Sequence, residues 1–208
     1  QNYGFFAEGG FRAIVPDTLG FGYSTQSDEL DYGLDFVTAG LKKFLDKLGI
    51  EKCALIGNSH GGAVAIQLAL DHPGLVDRLV LMAPGGLEET EVYMKMKGIR
   101  TMLKVFFHED GITRDSMRKV FGLQLFDAAQ ITDETIEERF QIAETQPKRV
   151  LKTLRVTHLA PELHRLECPV FGWWGMDDLF CPVSGATKIA ENCPNARVML
   201  LSKCGHWV

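Results

Sequence analysis

Between residues 33 and 82 the spacing of apolar residues changes several times, and the changes outline successive elements. Leu34, Val37, Leu41, Leu45 and Leu48 recur at helical spacing, which predicts an amphipathic helix over 33–48 with Gly49 as its C-cap. Cys53-Ala54-Leu55-Ile56 is an apolar run of strand length and predicts a strand over 52–57. From Ala63 to Leu70 the chain is apolar nearly all round, as in a buried helix; the spacing predicts that helix over 60–71, with a stop at His72-Pro73. Arg78-Leu79-Val80-Leu81-Met82 closes the next strand, 76–82. Upstream, Phe11-Arg12-Ala13-Ile14-Val15-Pro16-Asp17 reads as a strand, followed by the glycine-rich loop Gly20-Phe21-Gly22-Tyr23-Ser24. Downstream, strands over 168–174 and 196–202 flank a helix over 184–192. Apolar strands alternating with helices predict an α/β fold, a mostly parallel sheet with helices on both faces.

The alternation breaks after the strand at 76–82. From Gly85 to Pro161 no run has strand character, and helix starts are signalled at Thr113-Arg114-Asp115 and Thr132-Asp133-Glu134. This stretch holds four of the seven Met and five of the thirteen Phe, and residues 86–165 carry thirteen basic and thirteen acidic side chains. Inserted between two sheet strands, it is expected to form a helical cap over the sheet's C-terminal edge; the alternative is a packed helical layer without contact to substrate. The expected organisation is core 1–85, cap 86–165 and core 166–208.

The chemistry concentrates at strand ends. Gly57-Asn58-Ser59-His60-Gly61 is a G-x-S-x-G sequence placed between a strand and a helix, the context of a nucleophile elbow. Trp174-Gly175-Met176-Asp177-Asp178 follows the apolar run Pro169–Trp173, and Cys204-Gly205-His206-Trp207 follows Arg197–Leu201. Each places a catalytic residue type just after a strand. The order Ser, Asp, His is that of the α/β-hydrolase fold and differs from the chymotrypsin and subtilisin orders. Ser59 needs a base to become nucleophilic, His206 can be that base, and an acid must hold its imidazole. Asp177 and Asp178 are both available. The W-G-x-x-D spacing selects Asp178 and leaves Asp177 to cap the loop. His60 follows the nucleophile, so its backbone N–H is the expected oxyanion-hole donor. His72, His108, His158 and His164 lack ligand spacing and are read as structural; no metal is expected.

Bulk properties narrow the class further. At 208 residues the chain suffices for one domain with a sizeable core. A net charge of −5 gives no reason to expect nucleic acid or an anionic membrane as partner. No apolar run approaches the roughly 20 residues of a membrane span. Five cysteines, an odd number with no C-x-x-C, predict a reduced, cytoplasmic protein. The chain opens at Gln1 and stops two residues after His206, which suggests a fragment.

Several segments together resemble one family, the meta-cleavage product hydrolases of aromatic degradation. They are Gly57-Asn58-Ser59-His60-Gly61-Gly62, Leu79-Val80-Leu81-Met82-Ala83-Pro84-Gly85-Gly86, Trp174-Gly175-Met176-Asp177-Asp178 with Phe180-Cys181-Pro182, and Ser202-Lys203-Cys204-Gly205-His206-Trp207. Glu138-Arg139-Phe140 with Gln146-Pro147 resembles the cap helix that carries the family's substrate-facing arginine. The resemblance covers nearly the whole chain. It implies cofactor-free hydrolysis of a carbon–carbon bond in a 2-hydroxy-6-oxo-hexa-2,4-dienoate, a small-molecule substrate, giving a carboxylic acid and a 2-hydroxypenta-2,4-dienoate. It also implies a homo-oligomer, with Asn58, Arg139, Phe180 and Trp207 binding substrate. By the same match the chain begins after the family's HG-G-P-G segment, the expected source of the second oxyanion donor, and lacks the final helix. The stretch from Arg139 to Trp174 is shorter than in biphenyl-type members, so the ring-side pocket is not predicted. The competing readings are a carboxylesterase of the same fold and a non-catalytic ligand receptor. Haloalkane dehalogenases and epoxide hydrolases carry Asp at the elbow, which Ser59 disfavours.

Overall fold

The structure is a computed structural model and describes residues 2–208. A short helix α1 (Tyr3–Glu8) opens it, and α2 (Leu34–Lys47) follows a long irregular stretch. Then come β1 (Cys53–Asn58), α3 (His60–Asp71) and β2 (Val76–Met82). A helical stretch contains α4 (Thr90–Tyr93), α5 (Lys97–Phe106), α6 (Arg114–Gly122), α7 (Asp133–Thr145) and α8 (Lys148–Thr153). The core resumes with β3 (Val170–Gly175), α9 (Ser184–Asn192) and β4 (Ala196–Leu201). The sheet is parallel throughout, in the order β1-β2-β3-β4.

Coverage of that sheet differs from the expectation of helices on both faces. Gly57, Leu81, Gly172 and Val198 are register partners and so share one face. A Cβ on Gly57 would meet the start of α3, and one on Gly172 would approach Ile189 of α9. Both strand-packed helices therefore lie on the same side. Topology explains it: the strand order runs in one direction without reversal, and right-handed crossovers then place every connecting helix on one face. The opposite face, with Ile56 (48% exposed), Phe171 and Met199, carries no strand-packed helix among the described residues.

The segment at 11–17 also departs from expectation. It has no regular secondary structure and pairs with nothing among the described residues, and Phe11 is 67% exposed. A strand is defined by its ladder, and an apolar extended run without a neighbouring edge stays irregular.

The main core lies between the sheet and α2, α3 and α9. Leu34, Ile66, Leu68, Leu79, Leu81, Trp174 and Ile189 are almost fully buried there. The helical stretch has a smaller core of its own, built on Met117, Ile131, Ile136 and Phe140. Its helix starts fall where the sequence signals them. Thr113 caps α6 by accepting the Ser116 N–H, and Thr132 caps α7 by accepting the Thr135 N–H. The two connections of the stretch meet at its root. There Leu159 N–H donates to Gly86 O at 2.6 Å, and His158 pairs with Glu89 at 2.8 Å. Glu88 accepts from Ser184 and Lys188 of α9, each at 2.6 Å.

The packing of α3 on β1 rests on an absent side chain. A Cβ at Gly57 would sit 2.5 Å from the Gly61 carbonyl oxygen, and the obstacle is backbone that cannot rotate away. Gly57→Ala should therefore lower stability by about 1–3 kcal/mol, the usual cost of overpacking. A urea unfolding midpoint unchanged from the parent would contradict this.

Candidate active site

All four strands point the same way, so the loops after β1, β3 and β4 share one edge of the sheet, where α/β folds place their sites. Ser59 sits on the turn between β1 and α3 with φ 53° and ψ −121°. That region is costly for a residue with a Cβ, and the surroundings must over-determine it. They do. Ser59 N–H donates to Met82 O at 3.0 Å. Its carbonyl accepts from the N–H groups of Gly62, Ala63 and Gly85 at 3.0, 3.1 and 2.9 Å.

Asp178 and His206 come together from loops 28 residues apart. His206 Nδ1 lies 2.8 Å from Asp178 Oδ2. The other carboxylate oxygen accepts the N–H of Phe180 at 2.7 Å and of Cys181 at 2.9 Å. Asp178 is 7% exposed and His206 3%, so the pair is shielded from water. With the carboxylate accepting at Nδ1, the neutral imidazole carries its proton there and leaves Nε2 free to take one from a hydroxyl. Asp177 is exposed, and its N–H donates to Cys204 O at 2.9 Å. No hydrogen bond among the described residues joins the Ser59 hydroxyl to His206. Such contacts are often long before substrate binds and tighten in the complex.

His60 opens α3, and its N–H has no acceptor among the described residues, as expected of a first-turn amide. That donor and the positive end of the helix dipole lie next to Ser59. The His60 ring packs against Phe21, with centroids 5.7 Å apart. Burial pushes it down to about 4, which keeps it neutral at ordinary pH.

The other site residues fall into two groups. Arg139, on α7, is exposed and lies over Trp207, its guanidinium carbon 6.0 Å from the ring centroid. Two nearby acids are engaged elsewhere, Glu137 with Arg114 and Asp133 with Arg118; neither Arg139 nor the adjacent Glu138 has an ion-pair partner among the described residues. Trp207 also packs on Phe121 of α6. Asn58 and Phe180 are differently placed. The Asn58 amide donates to Met82 O at 2.9 Å and to His206 O at 3.2 Å, tying strand ends together. Phe180 is 4% exposed and stacks on the His206 ring.

Sequence reasoning missed the role of the loop after α6. Gln124 O accepts the Trp207 N–H at 2.9 Å, and a Cβ on Gly205 would collide with that same carbonyl. No motif marks residues 123–126, because the contact is made by backbone. Cys181 was legible only within the Phe180-Cys181-Pro182 segment. Burial pushes its thiol well up, with the Asp178 charge adding to the effect, so it remains a neutral thiol beside the acid. A cleft of about 440 Å³ lies apart from these residues, between α6 and α7, lined by Arg114, Arg118 and Asp133.

A strained serine at an elbow, a buried carboxylate–imidazole pair and a helix N-terminus at one sheet edge define a class, and comparison gives the same class. The family described as alpha/beta hydrolase fold matches residues 3–155, and the chain belongs to it. Within that class the chain belongs to the meta-cleavage product hydrolases. It is 32% identical over 217 aligned residues, covering 100% of this chain and 74% of the relative, to the 2-hydroxy-6-oxononadienedioate/2-hydroxy-6-oxononatrienedioate hydrolase of Comamonas testosteroni. It is 33% identical, with the same coverage, to the 2-hydroxy-6-oxo-6-phenylhexa-2,4-dienoate hydrolase of Burkholderia cepacia. In fold it is similar to a meta-cleavage product hydrolase of Pseudomonas fluorescens IP01, with TM-score 0.79 at 24% identity over 92% of this chain and 71% of that one. An esterase of Exiguobacterium antarcticum follows at TM-score 0.75 and 20% identity, over 92% and 73% of the two chains.

The geometry separates the two adjacent acids. Asp178→Asn should lower kcat by on the order of 10³–10⁴, because the imidazole loses its anionic partner and favours the wrong tautomer. Asp177→Asn should cost less than about threefold, since its side chain is exposed. Steady-state kinetics of both variants would decide it; equal losses would remove Asp178 from the site.

Proposed function

We propose that Ser59, His206 and Asp178 form a catalytic triad that hydrolyses a carbon–carbon bond in a 2-hydroxy-6-oxo-hexa-2,4-dienoate-type ring-fission product. The observation that carries the proposal is the buried Asp178–His206 pair at the same sheet edge as the strained Ser59 turn. The relatives' names supply the substrate class.

In this reading the dienol first becomes a ketone, which makes the C5–C6 bond cleavable. Ser59 Oγ then adds to the C6 carbonyl while its proton passes to His206 Nε2. The charge on the former carbonyl oxygen is met by the His60 N–H. As C5–C6 breaks, its electron pair moves into the dienolate and His206 returns the proton. Water, activated by the same imidazole, releases the carboxylic acid. Asp178 stays ionised and stabilises the imidazolium at each transfer.

Residues 86–165 would form the cap of this site. Arg139 is its substrate-facing cation, poised for the dienoate carboxylate through paired charge-assisted hydrogen bonds. Its exposure over Trp207 without an acidic partner supports the assignment. Asn58 and Trp207 line the same end, and Phe180 lies on the imidazole side. No helix among the described residues is long and apolar enough to cross a membrane. We place the protein in the cytoplasm, as a homo-oligomer, on the strength of its free cysteines and its family.

Two substitutions test this reading. Ser59→Ala should lower kcat by on the order of 10³ or more while substrate still binds. Single-turnover measurements with a coloured ring-fission product would show retained binding without product release; near-parental turnover would sink the triad. Arg139→Gln should slow a carboxylate-bearing dienone far more than a neutral p-nitrophenyl ester, by about 2–4 kcal/mol of transition-state binding. Equal slowing of the two would make Arg139 structural and favour the esterase reading.

A further inference from the structure

Phe180 touches both halves of the acid–base pair. Its backbone N–H donates to Asp178 Oδ1 at 2.7 Å. Its ring stacks on the His206 imidazole, with centroids 5.1 Å apart and planes 26° from parallel. The ring also meets α5 of the helical stretch. A Cβ built on Gly98 would lie 2.5–2.6 Å from three atoms of that ring, so the helix backbone is in direct contact with it. Gly98 N–H donates to Leu179 O at 2.8 Å and locks the helix to the same turn. Val105 and Val120 close the remaining sides. At 4% exposure the ring offers almost no surface for a substrate to touch.

The geometry points to Phe180 as a positioning residue for His206, through which α5 at Gly98 fixes the plane of the imidazole. The inference rests on the triad reading above. It differs from the substrate-binding role that the sequence suggested for this residue. A ring held face-on blocks rotation of the imidazole about its Cβ–Cγ bond and excludes water from that face. It also sets an aromatic π-face against the imidazolium formed on proton transfer, an arrangement that stabilises the cation. The helical stretch thereby acts on the base without touching it. Because the contact at Gly98 involves backbone, only glycine lets the helix come close enough to hold the ring.

A double-mutant cycle in the whole protein tests the coupling. F180L should lower kcat roughly tenfold with KM changed less than about twofold, equally for a neutral ester and a carboxylate dienone. The low-field proton resonance of His206 Nδ1–H should broaden or shift in the same variant. G98A should lower kcat in the parent, where the new methyl presses on the ring, but by less than about twofold in the F180L background, where the shorter side chain leaves room. A rise in KM at unchanged kcat in F180L would return Phe180 to substrate contact and overturn the inference. An unchanged resonance, or a G98A loss of equal size in both backgrounds, would overturn it too. Should G98A fail to fold, the F180L kinetics and resonance decide alone. S59A is the control that separates the two readings. If S59A is inactive and F180L is unaffected, the positioning role fails while the triad stands. If S59A remains active, the triad itself is wrong.

Discussion

The backbone of Ser59 is the constraint on which the rest of the site depends. A positive φ at a residue with a Cβ is held only if hydrogen bonds fix it from outside. Here the N–H of Ser59 is bound by β2 and its carbonyl by the first turn of α3 and by Gly85. The pieces that supply those bonds must approach closely, and glycine at 57 and 62 allows it, the latter against Pro84. The turn thus joins β1, β2 and α3 into one rigid corner. It presents the serine hydroxyl and the unpaired N–H of His60 from the same point.

Asp178 and His206 reach that corner by a different route. They sit on loops after β3 and β4, and a web of backbone donors sets their positions. Asp178 is held by two N–H groups of its own loop, and Asp177 N–H reaches the Cys204 carbonyl of the base loop. The Asn58 amide bridges β2 and the base loop through two carbonyls. Burial of the Asp178–His206 pair would be costly for unpaired groups, and each polar atom named here has a partner that offsets it. The serine corner is rigid by main-chain geometry; the acid–base pair is rigid by hydrogen bonding and by the packing of Phe180.

The helical stretch is coupled to this machinery at few points. It has its own small core and is tied at its root to α9 through Glu88. It also meets the loops after β3 and β4 through the Phe180 ring, the Gly98–Leu179 hydrogen bond, the Gln124 carbonyl and the Phe121–Trp207 contact. Its last helix is also joined to the segment before α2, where Tyr32 N–H donates to Thr153 and the Arg149 guanidinium to Leu30 O. Arg139 stands apart: it is a cation over an indole, while Glu137 and Asp133 are committed to Arg114 and Arg118. Position on the helix face explains this. Glu137 and Asp133 lie toward α6, which carries both arginines, and Arg139 lies toward Trp207.

The elements, and the residue types at strand ends, can be read from local segments of the chain. Apolar runs located β1 to β4 within two residues, and helical spacing located α2, α3 and α9. Threonine caps located α6 and α7. These signals are local, so they can be read from a single segment. G-x-S-x-G marked Ser59 because its glycines answer a local backbone demand, and spacing after strands marked Asp178 and His206. Tertiary structure alone decided what depends on distant neighbours. The run at 11–17 has strand composition but finds no edge, and composition cannot reveal that. Helices on both faces were expected from alternation, yet alternation is blind to strand order, and an order without reversal places α3 and α9 on one side. Phe180 and Asn58 could be singled out from their motifs, but their contacts could not, because Gly98, Met82 and the His206 carbonyl come from segments far along the chain. Those contacts are made largely by backbone atoms. A backbone carbonyl leaves no mark in the sequence, so only the folded chain shows what it holds.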